Sequence, residues 1–341
     1  MVTKKNRGKR FQKTRKQQRT RKQRGGLKCT EPATWTPFKW SANSCWLDSF
    51  LLGLLHHSNK QIDGIIDKAI DTINEQINVA KEYNTGSLPL LKRKRLIAEK
   101  MQYLRAHLRN AFEESFDTRN TETDLSKLRE DIRTSLTSCP GGTIFKKGRF
   151  SSISEIWQFI VGLLSIPETI RYMEKQPTLN QMEGSATYIA FSGFDLVDRS
   201  ELNIYEYLTK VQRQEQRTFQ YKRFGDLVPI DIERMAGVSA NSLDIITTPI
   251  VLPEYMSLKT KSSIQSEYRL VTVICNIGGH YVSYIACDDT DQWMFYNDMI
   301  RSEEDRIIPV GSFDDWWSTP IPGTEDKSPS EYATWLLYIK Q

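Results

Sequence analysis

The sequence lacks any long apolar run and has few cysteines. None of its hydrophobic stretches approaches the roughly 20 residues that a helix needs to cross a bilayer, so we expect a soluble chain without a membrane span. The N-terminus also lacks the apolar stretch of a signal peptide, so secretion is not expected. Five cysteines at irregular spacing, with no CxxC pair, argue against a disulfide scaffold and against four-cysteine zinc. They favour a reducing, intracellular compartment, the cytoplasm and/or the nucleus.

Acidic residues are missing from positions 1–28, which hold thirteen Lys or Arg. Subtracting these charges from the net +5 leaves about −8 for the remainder. This segment has too few large apolar residues to form a core, so we predict a disordered basic tail followed by one catalytic domain at 29–341. Clustered cations also favour weak binding of nucleic acid or other polyanions, or a nuclear-import signal. A purely solvated leader would have the same composition.

Hydrophobic periodicity divides the rest of the chain into two halves. Apolar residues recur every three or four positions over 62–77, 96–112 and 125–136, and a further apolar helix is predicted at 154–164. From about 186 onward, short β-branched and aromatic runs separated by turn residues predict strands. A helical half followed by a mainly antiparallel half predicts an α+β fold with segregated layers.

A cysteine opens the first apolar helix, in the run NSCWLDSFLL. Cys45 follows the small polar residues Asn43 and Ser44. The partial positive charge at a helix N-terminus lowers the pKa of a thiol, so we expect this position to favour the thiolate nucleophile.

A histidine and two polar residues near the other end of the chain could complete the site. His280 follows Gly278 and Gly279, which allow a sharp turn, and it begins a predicted strand. Asn297 and Asp298 end the next strand, and either could accept a hydrogen bond from the imidazole. Side chains alternate along a strand, so only one of the two should face the histidine. A distant Cys and His brought together by folding would form an activated-nucleophile pair.

Each of these residue types also has a purely structural interpretation. A lone cysteine is usually a small buried hydrophobe, which we expect of Cys29, Cys139, Cys275 and Cys287. Histidines within helical segments are usually surface or packing residues, which we expect of His56, His57 and His107.

The two boxes resemble those of ubiquitin-specific proteases. NSCWLDSFLLGLL is similar to the Cys box of that family, and GGHYVSYI followed by WMFYND is similar to its His box. Weaker likenesses, which bring the similarity to about residues 30–341, are SSISEIWQFIVGLL, PIVLPEYMSL, YRLVTVICNIGG and EYATWLLYIK. The form of the boxes looks most like the cylindromatosis-type deubiquitinase. A basic leader on a compact domain would also suit a large DNA virus, which would place the protein in the host cell.

The resemblance implies a papain-like fold with a helical thumb, an antiparallel β palm and reduced β fingers. It implies ubiquitin or ubiquitinated proteins as partners, with hydrolysis after the terminal glycine of ubiquitin through a Cys45 thioester. His280 would act as the base and Asn297 as its orienting partner, and no cofactor would be needed.

Two departures from the family pattern, the lack of CxxC zinc pairs in the fingers and a change five residues before the nucleophile, leave alternatives open. Trp40 stands where many members have an oxyanion-stabilising Asn, so Asn43 or backbone N–H groups at Cys45 would have to serve. An inactive ubiquitin-binding pseudo-enzyme is therefore one alternative, and a protease for another ubiquitin-like modifier is a second. A nucleic-acid-binding protein dominated by its basic tail is a third, but the remainder of the chain is acidic and lacks a recognisable nucleic-acid module.

Overall fold

The computed structural model describes most of the chain beyond the basic tail. The tail at 1–28 lies outside the described residues, as do Cys29, Trp40 and His57. The described residues are 38, 41, 43–56, 60–113, 125–149, 151–164, 170–176, 179–197, 199–214, 217–239, 242–260, 262, 264–288, 290–300 and 306–341.

Helices occupy the first half of the described chain, as the apolar stripes predicted. The long helices are α1 (Cys45–Leu55), α2 (Lys60–Glu82), α3 (Leu88–Glu113), α4 (Leu125–Thr137) and α5 (Ile153–Leu164). Short helices lie among the strands: α6 (Gly193–Leu196), α7 (Ile204–Thr209), α8 (Phe313–Trp316) and α9 (Pro329–Tyr332). Among the helices of the described segments, none has the length and apolar character of a membrane span.

Strands begin at Ile170, earlier than the sequence indicated. They are β1 (Ile170–Gln176), β2 (Leu179–Ala186), β3 (Ile189–Phe191), β4 (Leu202–Asn203), β5 (Gln212–Gln214), β6 (Arg217–Arg223), β7 (Leu227–Ile232), β8 (Met235–Ser239), β9 (Ser242–Ile245), β10 (Ile250–Val251), β11 (Tyr255–Lys259), β12 (Gln265–Asn276), β13 (Tyr281–Ala286), β14 (Gln292–Tyr296), β15 (Ile307–Ser312) and β16 (Ala333–Lys340).

The central sheet has eight strands in the order β15-β14-β13-β12-β16-β7-β3, with β11 also paired to β12. All its pairs are antiparallel except the parallel pair β3–β7, so the sheet is mixed. A separate antiparallel sheet, β2-β1-β6-β5, is formed by strands between residues 170 and 223. The predicted α+β class is confirmed.

Helix α1 lies between the central sheet and the other helices. It packs on β12 and β13 on one side and on α3 and α5 on the other, and all its residues are buried. Contact with the sheet is very close at Gly53, where an added Cβ would lie 2.5 Å from Thr272 Cγ2. The Thr272 hydroxyl donates to the Gly53 carbonyl at 2.6 Å. The sheet thus fixes the helix that begins with Cys45.

The described cysteines are all buried, but they differ in state. Cys45, Cys139 and Cys275 are free thiols, as expected. Cys287 is disulfide-bonded, so for this residue the expectation of a simple buried hydrophobe is wrong.

Candidate active site

The first turn of α1 is fixed by the side chain of the residue that precedes it. Ser44 is the N-cap, and its carbonyl accepts hydrogen bonds from the N–H groups of Leu47 and Asp48, both at 2.9 Å. The Ser44 hydroxyl accepts from the Ser41 N–H at 3.1 Å and donates to Asp48 Oδ2 at 2.8 Å. Cys45 is therefore the first residue of a helix whose start is closely defined.

A loop after α4 holds the chain just ahead of the cysteine. Asn43 has a φ of 60°, a left-handed conformation that asparagine tolerates better than most residues. Its Nδ2 donates to the Gly148 carbonyl at 3.0 Å. The neighbouring Arg149 carbonyl accepts from Trp46 Nε1 at 3.3 Å. These bonds on either side of Cys45 set the direction in which α1 begins.

The thiol of Cys45 is buried, which outweighs the effect expected of the helix terminus. Burial, with a smaller contribution from the charges of Asp298 and Asp48, raises the pKa of Cys45 to about 11. The backbone N–H groups of Tyr281 and Trp46 point at the sulfur and lower the pKa, but by less. The expectation of a lowered pKa is therefore wrong for the resting protein, in which the thiol is protonated at neutral pH.

The loop before β13 brings the residue after His280 to the sulfur, since the backbone N–H of Tyr281 points at Cys45. Gly278 and Gly279 have φ values of 97° and 88°, a region that side-chain-bearing residues rarely adopt. Both of their N–H groups donate to Asn276 Oδ1, at 3.3 and 2.9 Å. The Ile277 N–H donates to the His280 carbonyl at 2.9 Å and closes the turn.

The two ring nitrogens of His280 have different surroundings. Nε2 lies 2.8 Å from Asn297 Oδ1. Nδ1 is buried and has no hydrogen-bonding partner among the described residues. With the ring proton on Nε2, that nitrogen donates to the amide and Nδ1 keeps a free lone pair. Burial lowers the pKa of His280, and the hydrogen bond with Asn297 opposes this, so the ring is neutral at pH 7.

Asn297 is itself held in place, and Asp298 occupies a different environment. Asn297 Oδ1 also accepts from the Met299 N–H at 3.0 Å, and the Asn297 N–H donates to the Arg306 carbonyl at 2.8 Å. Asp298 Oδ1 lies 3.8 Å from His280 Nε2, which is too far for a hydrogen bond. The structure thus brings together Cys45, His280, Asn297 and Asp298, while the Asn43 amide faces Gly148.

A buried ionic cluster at the same place was not expected from the sequence. Asp48 of α1 pairs with Arg129 of α4, and both side chains are almost completely enclosed. Asp298 interacts with this pair electrostatically. The available sequence signal was an acid within the otherwise apolar helix CWLDSFLLGLL, because a buried charge requires a partner. Nothing in the sequence identified that partner.

The site thus combines a nucleophile candidate at the start of a buried helix with a histidine just before a sheet strand whose first residue contacts the thiol. The family model described as ubiquitin carboxyl-terminal hydrolase matches residues 161–338, just over half of the chain. The chain therefore belongs to the ubiquitin carboxyl-terminal hydrolase family, whose members are hydrolases of deubiquitination. The match includes His280 and Asn297 and begins after Cys45.

Solved structures with the same fold come from the deubiquitinating module of the SAGA complex. The module of Ubp8, Sgf11, Sus1 and Sgf73 bound to monoubiquitin has a TM-score of 0.59 at 12% identity, covering 91% of this chain and 70% of that one. The same module bound to ubiquitin aldehyde has a TM-score of 0.58 at 12% identity, with the same coverage. A yeast form of the module with a variant Sgf73 has a TM-score of 0.55 at 12% identity, again covering 91% and 70%. No curated protein sequence matches this chain.

Proposed function

We propose that this protein is a deubiquitinating cysteine protease that hydrolyses the peptide or isopeptide bond after the C-terminal glycine of ubiquitin. The observation that carries the proposal is the state of His280. Its Nε2 is fixed by Asn297, while its buried Nδ1 has no partner among the described residues. The next residue, Tyr281, directs its backbone N–H at the sulfur of Cys45. A histidine with a free basic nitrogen, adjacent in the chain to a residue that contacts the thiol, supports an activated nucleophile.

The chemistry begins from a neutral pair. Because the pKa of Cys45 is raised to about 11 and that of His280 is lowered, the thiol proton moves to Nδ1 as the sulfur attacks, rather than beforehand. The sulfur bonds to the glycine carbonyl carbon, and the C–N bond to the leaving amine then breaks. His280 returns the proton to that amine, which leaves a thioester. Water, deprotonated by His280, attacks the thioester and releases the ubiquitin carboxylate and the free thiol.

The oxyanion formed on attack needs hydrogen-bond donors near Cys45. The backbone N–H of Cys45 lies in the first turn of α1, where helix N–H groups have no intrahelical acceptor. Asn43 supplies the second donor in this proposal, because its amide nitrogen carries two N–H groups and only one is used on Gly148.

A ubiquitin carrying a thiol-reactive group at its C-terminus tests the proposal. We expect one covalent adduct, which peptide mass spectrometry assigns to Cys45 and which Cys45→Ala abolishes. Cys275→Ala is the matched control, because Cys275 is also a buried free thiol. A wild-type protein that binds ubiquitin without forming an adduct would indicate a pseudo-enzyme. If the corresponding probe of another ubiquitin-like modifier reacts faster, the assigned substrate changes but the proposed chemistry does not.

Other expectations from the sequence stay predictions. These are the likeness to the cylindromatosis type, a viral source, polyanion binding by the tail at 1–28, and a location in the cytoplasm and/or nucleus. They are proposed on the composition and the motifs alone.

A further inference from the structure

A buried ion pair joins the first turn of α1 to α4. The side chains of Arg129 and Asp48 are 1% and 0% exposed. Arg129 Nη1 lies 2.6 Å from each carboxylate oxygen of Asp48 and donates to Ser44 Oγ at 3.0 Å. One guanidinium therefore holds both the residue before Cys45 and the residue one helical turn after Ser44.

A second carboxyl group depends on the same cation. Burial and the negative charge of Asp48 raise the pKa of Asp298 to about 8, and the charge of Arg129 opposes this. Asp298 is therefore mostly protonated at pH 7, near the Asp48 carboxylate. Arg129 thus pairs with the Asp48 carboxylate and, through Nε, with Glu130 Oε1 at 3.1 Å, while Glu130 also pairs with Arg133.

Stability alone gives little reason for such a cluster. Replacing a buried ion pair by apolar groups is often neutral or stabilising, because desolvation of the charges offsets their attraction. Removing only one partner is costly, because it leaves a buried charge without a counter-ion. The Arg129–Asp48 pair lies at the start of the helix that carries Cys45, near Asp298. This position indicates that the pair holds the catalytic groups in place.

We propose that Arg129 is a positioning residue for the Cys45–His280 pair, an inference that rests on the proposed function. Arg129 acts through Asp48. By holding Asp48 and Ser44, it fixes the first turn of α1 and with it the sulfur of Cys45 relative to the N–H of Tyr281. Without the guanidinium, Asp48 has no counter-ion next to Asp298. The first turn of α1 must then shift, or the Asp48 carboxylate must take up a proton.

The test compares Arg129→Met with Arg133→Met. Arg133 lies one turn further along α4, its side chain is 2% exposed, and it shares Glu130 with Arg129 but does not contact Asp48 or Ser44 in the hydrogen bonds of the described residues. We expect Arg129→Met to lower kcat on a ubiquitin conjugate by about 100-fold with little change in KM, the scale expected when reacting groups are displaced by about 1 Å. Arg133→Met should change kcat far less. Equal losses in the two variants, or no loss in Arg129→Met, would overturn the proposal.

A second variant separates positioning from packing. In Arg129→Met/Asp48→Asn the amide needs no counter-ion, so we expect kcat to recover by about 10-fold or more over Arg129→Met alone. If Arg129 only fills space in the core, the kcat of the double variant should be no higher than that of Arg129→Met alone. If Arg129→Met does not fold, the folded double variant decides: a kcat about 10-fold below that of the wild type with little change in KM supports the inference, and a kcat equal to that of the wild type overturns it.

Alkylation of Cys45 by iodoacetamide, followed by peptide mass spectrometry, gives a readout that does not require ubiquitin. We expect slower alkylation in Arg129→Met, because the sulfur is no longer aligned with Nδ1 and the backbone donors, and no change in Arg133→Met. This outcome would support the positioning role even if ubiquitin hydrolysis itself were absent. An unchanged alkylation rate in a folded Arg129→Met protein would reject it.

Discussion

The imidazole of His280 has two polar neighbours after β14, and they differ in distance and in charge. Asn297 Oδ1 is 2.8 Å from Nε2, whereas Asp298 Oδ1 is 3.8 Å away. Burial, followed by the charge of Asp48, raises the pKa of Asp298 to about 8. Asp298 is therefore a poor acceptor for the ring N–H at pH 7, and Asn297 is the better orienting partner.

We predict that Asn297→Ala lowers turnover by about 10–1,000-fold with little change in ubiquitin affinity, below the roughly 10⁴-fold loss known for a serine triad. A thiol ionises more readily than a serine hydroxyl, so the orienting residue contributes less. Asn297→Asp should retain activity, since a carboxylate oxygen can also accept from Nε2. Asp298→Ala is the comparison and should be milder in a steady-state assay with a ubiquitin conjugate. A larger loss in Asp298→Ala would reverse the assignment.

Local sequence patterns predicted the proposed catalytic residues but not the residues that support them. Strand alternation indicated that only one of Asn297 and Asp298 faces the histidine, but β14 ends at Tyr296, and both residues lie in the turn beyond it, 2.8 and 3.8 Å from Nε2. Arg129 is 81 residues from Asp48, and it lies in an ordinary amphipathic helix. Its role depends on how α4 docks against α1, which no short motif encodes. The raised pKa of Cys45 was missed for the same reason, because burial is a property of the whole fold.

At the scale of elements, the position of Cys45 depends on how closely α1 approaches the sheet. An added methyl group at Gly53 would lie 2.5 Å from Thr272 Cγ2, so either α1 or β12 would have to move. Gly162 in α5 has no heavy atom within 4 Å of an added Cβ and provides a matched control.

We predict that Gly53→Ala destabilises the fold by about 1–3 kcal/mol, the usual cost of overpacking a core. It should also slow labelling of Cys45 by the ubiquitin probe, because the helix that carries the thiol is displaced. Gly162→Ala should leave labelling unchanged and stabilise α5 by up to about 1 kcal/mol, since alanine favours a helix interior. Urea unfolding and probe labelling measure the two effects. If Gly53→Ala and Gly162→Ala have the same stability to urea and the same labelling rate, the close packing of α1 on β12 does not position Cys45.

The long helices were predictable, whereas the separate four-stranded sheet was not. Strong apolar stripes marked α2 to α5, and the structure confirms them. The strands of the smaller sheet, such as IRYMEKQ in β1 and RTFQYKR in β6, are polar and lack a clear alternation. Their stability comes from cross-strand pairing, including the contact between Tyr172 and Phe219, rather than from a continuous buried face. Such pairing is not visible in a single strand.

At the scale of the whole molecule, charge is distributed unevenly along the sequence. The segment 1–28 contains all the excess positive charge, and the remainder has a net charge of about −8. We predict that deleting 1–28 leaves turnover of a small ubiquitin substrate unchanged but removes binding to a polyanion such as heparin. For the intact protein, this binding should weaken steeply between about 50 and 200 mM salt, because it depends on counterion release. Lost turnover in the truncated protein would mean that the tail contributes to the fold.

The stability of the domain should also depend on pH through Asp231 of β7. This carboxyl accepts a hydrogen bond from Ser154, but burial raises its pKa to about 7, and the charge of Glu233 adds to the shift. In the unfolded chain an aspartate titrates near pH 3.9. The folded state therefore binds more protons than the unfolded state between about pH 4 and 7. Stability from this group is fully present below that window and is lost as the pH rises through about 7.

We predict that Asp231→Asn raises the melting temperature more at about pH 8 than at about pH 5, because the cost of keeping the folded carboxyl neutral while the unfolded one ionises grows as the pH rises from about 4 to 7. The asparagine oxygen can still accept from Ser154, so the hydrogen bond is kept while the buried charge is removed. Asp314→Asn, at an exposed acid, controls for the change in net charge and should shift the melting temperature equally at both pH values. Scanning calorimetry of the three proteins measures the effect. A gain at about pH 5 as large as that at about pH 8 would show that the asparagine improves packing rather than removing a buried charge.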